Sequence, residues 1–162
     1  MPITLRRMEV GDRDLFAVWW RDAELIALTS GSRQEISDEE VGKSFSGMLQ
    51  SRADRHLMIA LEGRAIGHLA LIKQGKGWYE LQIIIGEKEH WGKGHGTEAV
   101  QQLLEKARED AVTMIFLEVR PDNMRAIRSY EKCGFYHMNI VEHPENPDLP
   151  LTLRMEWNGG KA

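Results

Sequence analysis

The spacing of hydrophobic residues changes repeatedly along the chain, and each change marks a predicted element. Alternating or continuous apolar runs predict strands, whereas apolar residues that recur every three or four positions predict helices. Strands are predicted at residues 3–8, 56–61, 65–72, 78–85, 114–119, 135–141 and 151–157. Helices are predicted after Gly11, after Ser37, after the glycines at 92–96, and over residues 123–133. The predicted order is therefore β, α, α, β, β, β, α, β, α, β, β.

Turn residues between these elements predict how the strands pair. Glu62-Gly63-Arg64 is a hairpin signal, and Gly75-Lys76-Gly77 turns the chain into the next strand. Three strands in succession predict an antiparallel meander. The strand, loop, helix and strand at residues 78–119 form a crossover unit, whose strands are expected to be parallel. The prediction is a mixed α/β fold of the α+β type, with a mostly antiparallel twisted sheet of about seven strands and about four flanking helices.

Helix boundaries carry their own sequence signals. Ser37 with Glu40 three residues later forms a capping-box pattern. Asn123 suits the start of the last helix, and Gly134 suits its end. We expect a single domain over residues 1–157, followed by a frayed tail at residues 158–162.

Composition and charge exclude several classes of function. The chain has 162 residues and a formal net charge of -4, so no general attraction for nucleic acid is expected. No apolar run approaches the roughly 20 residues that span a bilayer, and the N-terminus lacks the apolar core of a signal peptide. The single cysteine, Cys133, fits a reducing compartment, and no metal-ligand spacing is present. We therefore expect a cytoplasmic protein without a membrane partner or a bound metal.

A glycine-rich loop directly precedes the third predicted helix. It reads Gly92-Lys93-Gly94-His95-Gly96-Thr97. Backbone N–H groups at a helix N-terminus bind anions, and glycine allows a phosphate to approach closely. The spacing matches neither the dinucleotide-binding fingerprint nor the P-loop. By itself, the loop favours a pyrophosphate site, and an ordinary connecting turn with a solvated lysine is the alternative.

Two motifs in this order resemble the Gcn5-related N-acetyltransferase (GNAT) superfamily. The window from Trp91 to Gly96 resembles the signature Arg/Gln-x-x-Gly-x-Gly/Ala, and residues 123–135 resemble N-x-x-A-x-x-x-Y-x-K-x-G-F. Trp91 departs from the first motif, because it stands where Arg or Gln is usual. The resulting W-G-K-G variant resembles the branch that contains ribosomal-protein N-terminal and spermidine acetyltransferases.

The resemblance implies a GNAT-like fold and acetyl-CoA as co-substrate. The loop would bind the coenzyme's pyrophosphate, and the preceding strand would pair with the pantetheine arm like an added strand. The coenzyme-binding residues implied in this way are Ile83, Ile84, Ile85, Trp91, Gly92, Lys93, Gly94, His95, Gly96, Thr97, Asn123, Ala126 and Tyr130.

The resemblance also implies how the reacting groups are placed. Tyr130 would be the general acid that protonates the departing thiolate. The thioester carbonyl would accept a hydrogen bond from a backbone N–H near Ile84 or Ile85, as in an oxyanion hole. From the helical spacing alone, Tyr130 also fits a core position on one face with Ala126 and Ile127.

Carboxylates have two predicted uses. Deprotonation of the amine needs a base, for which Glu80 is the first choice and Glu118 the second, although Glu80 also fits an ordinary exposed strand edge. Asp22, Glu24 and the stretch 35–40 would attract a cationic acceptor, unless they only form a solvated capping region.

The acceptor itself is left open by the sequence. Four aromatic residues are candidates for lining its cleft, although a core position is favoured for the Trp-Trp pair: Trp19, Trp20, Trp78 and Tyr79. An N-acetyltransferase for a small amine or polyamine is favoured. The alternatives are a protein N-terminal acetyltransferase acting on a peptide N-terminus and a non-catalytic acyl-CoA-binding regulator. Proteins that the chain resembles are commonly homodimers, so a homodimer is also expected.

Overall fold

A seven-stranded sheet runs through the protein in the order β1-β2-β3-β4-β5-β7-β6. The computed structural model describes residues 2–28 and 35–159. The strands are β1 (Ile3–Arg7), β2 (Arg55–Leu61), β3 (Arg64–Lys73), β4 (Tyr79–Ile85), β5 (Ile115–Val119), β6 (Phe135–Glu142) and β7 (Leu151–Trp157). The α-helices are α1 (Arg13–Trp19), α2 (Ala23–Leu28), α3 (Asp38–Gln50), α4 (His95–Glu109) and α5 (Met124–Lys132).

The pairing of the strands confirms the predicted fold class. All neighbouring strands are antiparallel except β4 and β5, which the helix α4 connects in parallel. The turn between β2 and β3 consists of Glu62 and Gly63, whose φ angles of 51° and 81° suit a tight hairpin. Of the predicted tail, residues 160–162 lie outside the described residues, and Asn158 donates its N–H to the carbonyl of Gly134 at 3.1 Å.

One helix of the described residues, α2, was not predicted from the sequence. This helix has six residues, and only Leu25 among them is buried. Six residues are too few to display a helical period in the sequence. Its start depends on Asp22, whose Oδ1 accepts hydrogen bonds from the N–H groups of Glu24 at 3.0 Å and Leu25 at 3.3 Å.

The predicted helix caps are confirmed. The Ser37 hydroxyl accepts from the N–H of Glu40 at 3.1 Å, and the Glu40 carboxylate accepts from the N–H of Ser37 at 3.4 Å. At α5, Oδ1 of Asn123 accepts from the N–H of Ala126 at 3.2 Å. Gly134 follows that helix with a φ of 98°, a conformation that glycine adopts without strain.

The sheet separates two hydrophobic cores. Successive side chains of a strand point to opposite faces, so the neighbours Met58 and Ile59 of β2 belong to different cores. The first core lies under α4 and α5, and the second lies under α1, α2 and α3. No helix in the described ranges is long and apolar enough to cross a bilayer.

The second core meets the sheet at Gly86, directly after β4. A Cβ at this residue would lie 2.1 Å from Cε2 of Trp19, and Trp19 is only 2% exposed. The N–H of Gly86 donates to the carbonyl of Ile66 at 2.8 Å, which holds the backbone in place. Only glycine therefore allows α1 to pack this closely against the end of β4.

Gly86→Ala is expected to lower the free energy of unfolding by about 2 kcal/mol or more, because the added methyl group overpacks a core with no room for it. Urea unfolding followed by tryptophan fluorescence measures the change.

The matched control is Gly47→Ala in α3, where nothing lies within 4 Å of the added Cβ. This second variant should raise the free energy of unfolding by roughly 0.5–1 kcal/mol through helix propensity. A Gly86→Ala protein as stable as the wild type would show that Trp19 does not constrain this position.

Candidate functional site

Strands β4 and β5 separate soon after they meet. Their parallel pairing covers only Tyr79 with Ile115 and Glu80 with Phe116. On its other side, β4 stays paired with β3 over its whole length, as far as Ile85. Within the described ranges, residues 81–85 thus have no strand partner on the β5 side. This gap, which we call the β4–β5 gap, has the form of an opening between two splayed strands.

Backbone groups of alternate β4 residues point into the β4–β5 gap. The N–H of Tyr79 donates to the carbonyl of Met114 on the β5 side at 2.9 Å, whereas the N–H of Gly86 donates to Ile66 of β3 at 2.8 Å. The direction of the backbone N–H and C=O groups alternates along a strand. Those of Ile83 and Ile85 therefore point into the gap, and those of Ile84 point toward β3. Of the two N–H groups expected to contact a carbonyl, the geometry thus favours that of Ile85 over that of Ile84.

The glycine-rich loop closes one end of the gap and leads into α4. Gly92 and Gly94 have φ angles of 73° and 84°, in the region that glycine occupies without strain. Gly94 precedes the first helical residue, so the N–H groups of His95, Gly96 and Thr97 lie at a helix N-terminus. Among the residues that the structure describes, none lies within 4 Å of a Cβ at Gly94, which leaves open space beside these donors.

Trp91 anchors this loop to the sheet. Its indole N–H donates to the carbonyl of Ile85 at 2.6 Å, and its ring packs against the second core. On the other side of the loop, Gly96 lies beside the side chains of Ile83 and Ile85, since a Cβ there would be 3.9 Å and 3.8 Å from them. The end of β4 and the start of α4 are therefore held together by contacts on both faces.

Two cations stand near the loop. Lys93 within it is exposed. The guanidinium of Arg125, in the first turn of α5, would lie 3.6 Å from a Cβ at Gly92. Arg125 was not predicted, because it occupies a position that the second motif leaves variable. Both charges favour an anion at the loop.

Two histidines, His90 before the loop and His95 within it, lie beside each other. The rings of His90 and His95 lie 5.8 Å apart, and burial together with the neighbouring His90 lowers the pKa of His95. Among residues 2–28 and 35–159, no group of three or more metal-ligating side chains comes together.

Helix α5 is fastened to the start of α4. The hydroxyl groups of Thr97 and Ser129 hydrogen-bond at 2.5 Å, and the thiol of Cys133 contacts the carbonyl of Thr97 at 3.8 Å. Tyr130 lies between these contacts and packs edge-on against Phe135 at 6.0 Å.

Burial keeps the Tyr130 phenol of α5 and the Cys133 thiol that follows this helix protonated. It raises the pKa of the Tyr130 phenol to about 12, to which the nearby Cys133 also contributes. Burial likewise raises the pKa of the Cys133 thiol to about 11. At neutral pH the phenol is a proton donor, and Cys133 is a packed thiol rather than a nucleophile.

The opposite face of the sheet carries a polar cluster that the sequence did not predict as a whole. Residues paired across strands share a face, so Glu80 lies beside Phe116, and Glu118 lies beside Arg154. Gln82 donates to the Glu80 carboxylate at 3.2 Å. Burial raises the pKa of Glu80, and the nearby Glu118 adds to this effect. We call this face the polar face.

Aromatic rings border the polar face, and they include one of the four aromatic residues that are candidates for lining the acceptor cleft. The Arg154 guanidinium lies 3.9 Å from the Phe116 ring centre and 4.9 Å from that of Trp78, and it donates to Glu156 at 2.9 Å. Trp78 thus belongs to this face. The other three aromatic candidates pack in the two cores: Trp19, Trp20 and Tyr79.

Three carboxylates in and beside the N-terminal helices form ion pairs with cations of the same chain. Lys88, which follows β4, lies 2.8 Å from the Asp22 carboxylate and 3.6 Å from that of Glu24. Asp38 accepts from Arg21 at 2.7 Å. That these groups attract a cationic acceptor stays a prediction, and the polar face carries further carboxylates.

Comparison with known proteins gives consistent results. The model of the acetyltransferase (GNAT) family matches residues 13–135, well over half of the chain. Aminoglycoside N(6′)-acetyltransferase type 1 of Klebsiella pneumoniae is 27% identical, over 93% of this chain and 82% of that protein. The kanamycin resistance protein of Rhizobium radiobacter is 35% identical, over 51% of this chain and 84% of that protein.

Solved structures share the fold. Spermidine N-acetyltransferase from Vibrio cholerae, in complex with CoA and spermine, superimposes with a TM-score of 0.82 at 25% identity, covering 95% of this chain and 94% of that chain. Aminoglycoside acetyltransferase AAC(6′)-Ib, in complex with coenzyme A and kanamycin, gives a TM-score of 0.77 at 24% identity, with 95% and 93% covered. Together with the β4–β5 gap and the glycine-rich loop, these matches confirm the resemblance seen in the sequence. The chain belongs to the acetyltransferase (GNAT) family and is an N-acetyltransferase that uses acetyl-CoA.

Proposed function

We propose that this enzyme transfers the acetyl group of acetyl-CoA to a primary amine of a small, polycationic acceptor. The observation that carries the proposal is the β4–β5 gap, which has a helix N-terminus at its end and a carboxylate-bearing sheet face beside it. The gap suits the donor, and the polar face suits the acceptor.

The coenzyme would lie along the gap. The N–H groups of residues 95–97 and the cations Lys93 and Arg125 would bind the pyrophosphate. The backbone N–H and C=O groups of Ile83 would pair with the amides of the pantetheine arm, as in an added strand. The N–H of Ile85 would donate to the thioester carbonyl and stabilise the charge that develops on its oxygen.

The chemistry then needs three proton transfers. The protonated amine gives a proton to the Glu80 carboxylate, and its nitrogen attacks the carbonyl carbon as the new C–N bond forms. The C–S bond breaks, and the Tyr130 phenol protonates the departing thiolate. The nitrogen then loses its second proton, which restores the phenol. Both assignments are supported by pKa shifts, because Tyr130 stays protonated and the raised pKa of Glu80 makes it a stronger base than an exposed glutamate.

Charge on the polar face favours an acceptor with several amines. Three carboxylates, those of Glu80, Glu118 and Glu156, stand there with one guanidinium, that of Arg154. A polycation gains from each unmatched carboxylate, whereas a peptide N-terminus supplies one charge. The names of the relatives, aminoglycoside and spermidine acetyltransferases, agree with this choice.

The cytoplasmic location and the homodimer stay predictions. A cytoplasmic location fits the one cysteine, Cys133, which is a free thiol. A homodimer fits the strand β6, which lies at the edge of the sheet and exposes Tyr136, Met138 and Ile140 at 45%, 48% and 50%.

A thiol-release assay with acetyl-CoA tests the proposed function. Kanamycin and spermidine should be acetylated with higher kcat/KM than N-terminal peptides, because the polar face carries several carboxylates. Higher kcat/KM with the peptides would instead indicate the N-terminal acetyltransferase. Tight acetyl-CoA binding without turnover of any amine would indicate a regulator, and absence of acetyl-CoA binding would reject the proposal as a whole.

Tyr130→Phe should lower kcat about 100-fold and leave the KM for acetyl-CoA within about twofold, since only proton donation is lost. Steady-state kinetics with the best acceptor measure both constants. The control is Tyr136→Phe, which removes an exposed hydroxyl from β6 and should have wild-type rates. An unchanged kcat for Tyr130→Phe would remove this residue from the acid role.

Gly94→Glu should raise the dissociation constant of acetyl-CoA at least about tenfold, because it places a negative charge where the pyrophosphate binds. Isothermal titration measures the affinity. Gly63→Glu in the β2–β3 turn is the matched control, since both glycines have a positive φ and open space around Cβ. Equal losses of affinity in the two variants would attribute the effect to backbone strain.

Glu80→Gln should lower kcat/KM about 100-fold at neutral pH by removing the base. Burial raises the pKa of Glu80, so the wild-type rate should fall as the pH decreases through that raised value. The acidic limb should flatten in the variant. A pH profile of kcat/KM that keeps its acidic limb in Glu80→Gln would transfer the role to Glu118.

A further inference from the structure

We propose that His143 is a positioning residue for the acceptor: together with Thr152 it fixes one oxygen of the Glu118 carboxylate, so that the other oxygen binds an ammonium group. This inference rests on the proposed function and assigns a task to a residue outside both sequence motifs. It concerns binding and orientation of the acceptor, not the transfer itself.

The loop between β6 and β7 places His143 firmly. Its backbone N–H donates to the carbonyl of Pro150 at 2.7 Å, directly before β7 begins. Its carbonyl accepts from the N–H of Asn146 at 3.0 Å, which closes a tight turn within the loop. The imidazole is thus attached to a backbone that is hydrogen-bonded on both sides.

Two side chains, those of His143 and Thr152, contact the same oxygen of the Glu118 carboxylate. Nε2 of His143 lies 2.8 Å from Oε1 of Glu118 and 3.0 Å from the hydroxyl oxygen of Thr152. The Thr152 hydroxyl, which is buried, donates to the same Oε1. Two donors to one oxygen fix the rotation of a carboxylate. Across the described ranges, the hydrogen bonds to this carboxylate all use Oε1, so Oε2 is the oxygen left for a ligand.

The fixed carboxylate belongs to the polar face. Glu118 lies two residues beyond Phe116 on β5 and opposite Arg154 of β7, and it is close enough to Glu80 to raise the pKa of that residue. Its side chain is 22% exposed, so a ligand can reach it. An acceptor amine held at Oε2 would therefore stand beside the proposed base, Glu80.

The charges around His143 make this contact sensitive to pH. Glu118 of β5, Glu145 of the same loop at 3.5 Å, Glu80 of β4 and the Arg154-Glu156 pair of β7 surround it. The hydrogen bond to Glu118 raises the pKa of His143. Below that raised value, the imidazolium offsets the charge of Glu118, whereas above it the carboxylate keeps its full attraction for a cation. Acceptor affinity should therefore increase as the pH rises through this titration.

Two variants separate positioning from charge. His143→Ala removes the donor, and we expect it to weaken acceptor binding about tenfold at pH 8. His143→Gln keeps an N–H donor without a titratable group, so its affinity at pH 8 should stay within about threefold of the wild type. The dependence on pH between 6 and 8 should be lost in both variants.

Isothermal titration of kanamycin and of spermidine, each in the presence of CoA, measures these affinities at pH 6 and pH 8. Acetyl-CoA affinity and thermal stability are the internal controls and should not change. Wild-type acceptor affinity in His143→Ala would overturn the proposal, and so would full pH dependence in His143→Gln. A parallel loss of acetyl-CoA affinity and stability in both variants would assign His143 a structural role only.

Failure of this inference can be told apart from failure of the proposed function. If the wild type binds neither kanamycin nor spermidine but still acetylates another amine, the positioning role falls and the acetyltransferase reaction stands. If it binds both amines with the expected pH dependence but releases no thiol from acetyl-CoA, the proposed reaction falls instead.

Discussion

The separation of β4 from β5 is the constraint on which the rest of the structure depends. Two parallel residue pairs join these strands, and in the described part of the chain residues 81–85 of β4 have no strand partner on that side. Unpaired backbone groups of a strand are strong hydrogen-bonding partners, so an extended, amide-bearing ligand can complete the sheet there. The glycine-rich loop lies at the end of this opening, α5 lies along one face and the polar face lies on the other. Donor and acceptor can therefore meet from opposite sides of the sheet.

The end of β4 is also where the two cores are tied together. Trp19 of α1 packs on Gly86, Trp91 donates to the carbonyl of Ile85, and Lys88 reaches Asp22 before α2. Together these contacts connect the N-terminal helices to the end of β4, and the end of β4 to the loop that we assign to the coenzyme. The elements nearest the acceptor side thus share their anchor with the coenzyme loop. A rigid anchor keeps both substrates in a fixed relation, which direct transfer between them requires.

Local signals in the sequence were sufficient for most of the secondary structure. Caps such as Ser37 and Asn123 bond to backbone N–H groups within four residues, so a short stretch of sequence contains both partners. Strand periodicity worked equally well, because every strand except β6 contributes one face to a core, and β6 is still marked by β-favouring residues after Gly134 although only its Phe135 is buried. The helix α2 was not predicted, because a single buried residue, Leu25, produces no helical periodicity of hydrophobic positions. Its start depends on Asp22, but Leu25 stands three residues later, where a capping box would have Glu or Gln.

The sequence by itself determined the class of enzyme, because the loop at residues 91–97 and the helix at residues 123–135 are contiguous motifs whose chemistry depends on local backbone and spacing. Only the tertiary structure decided which residues face one another across the sheet. Arg125 beside Gly92, Arg154 over Phe116, and His143 with Thr152 on Glu118 join residues from separate strands, helices and loops. Such contacts depend on strand register and on where β4 and β5 part. Shifting a strand by one residue would turn each of its side chains to the other face. No local pattern encodes that choice.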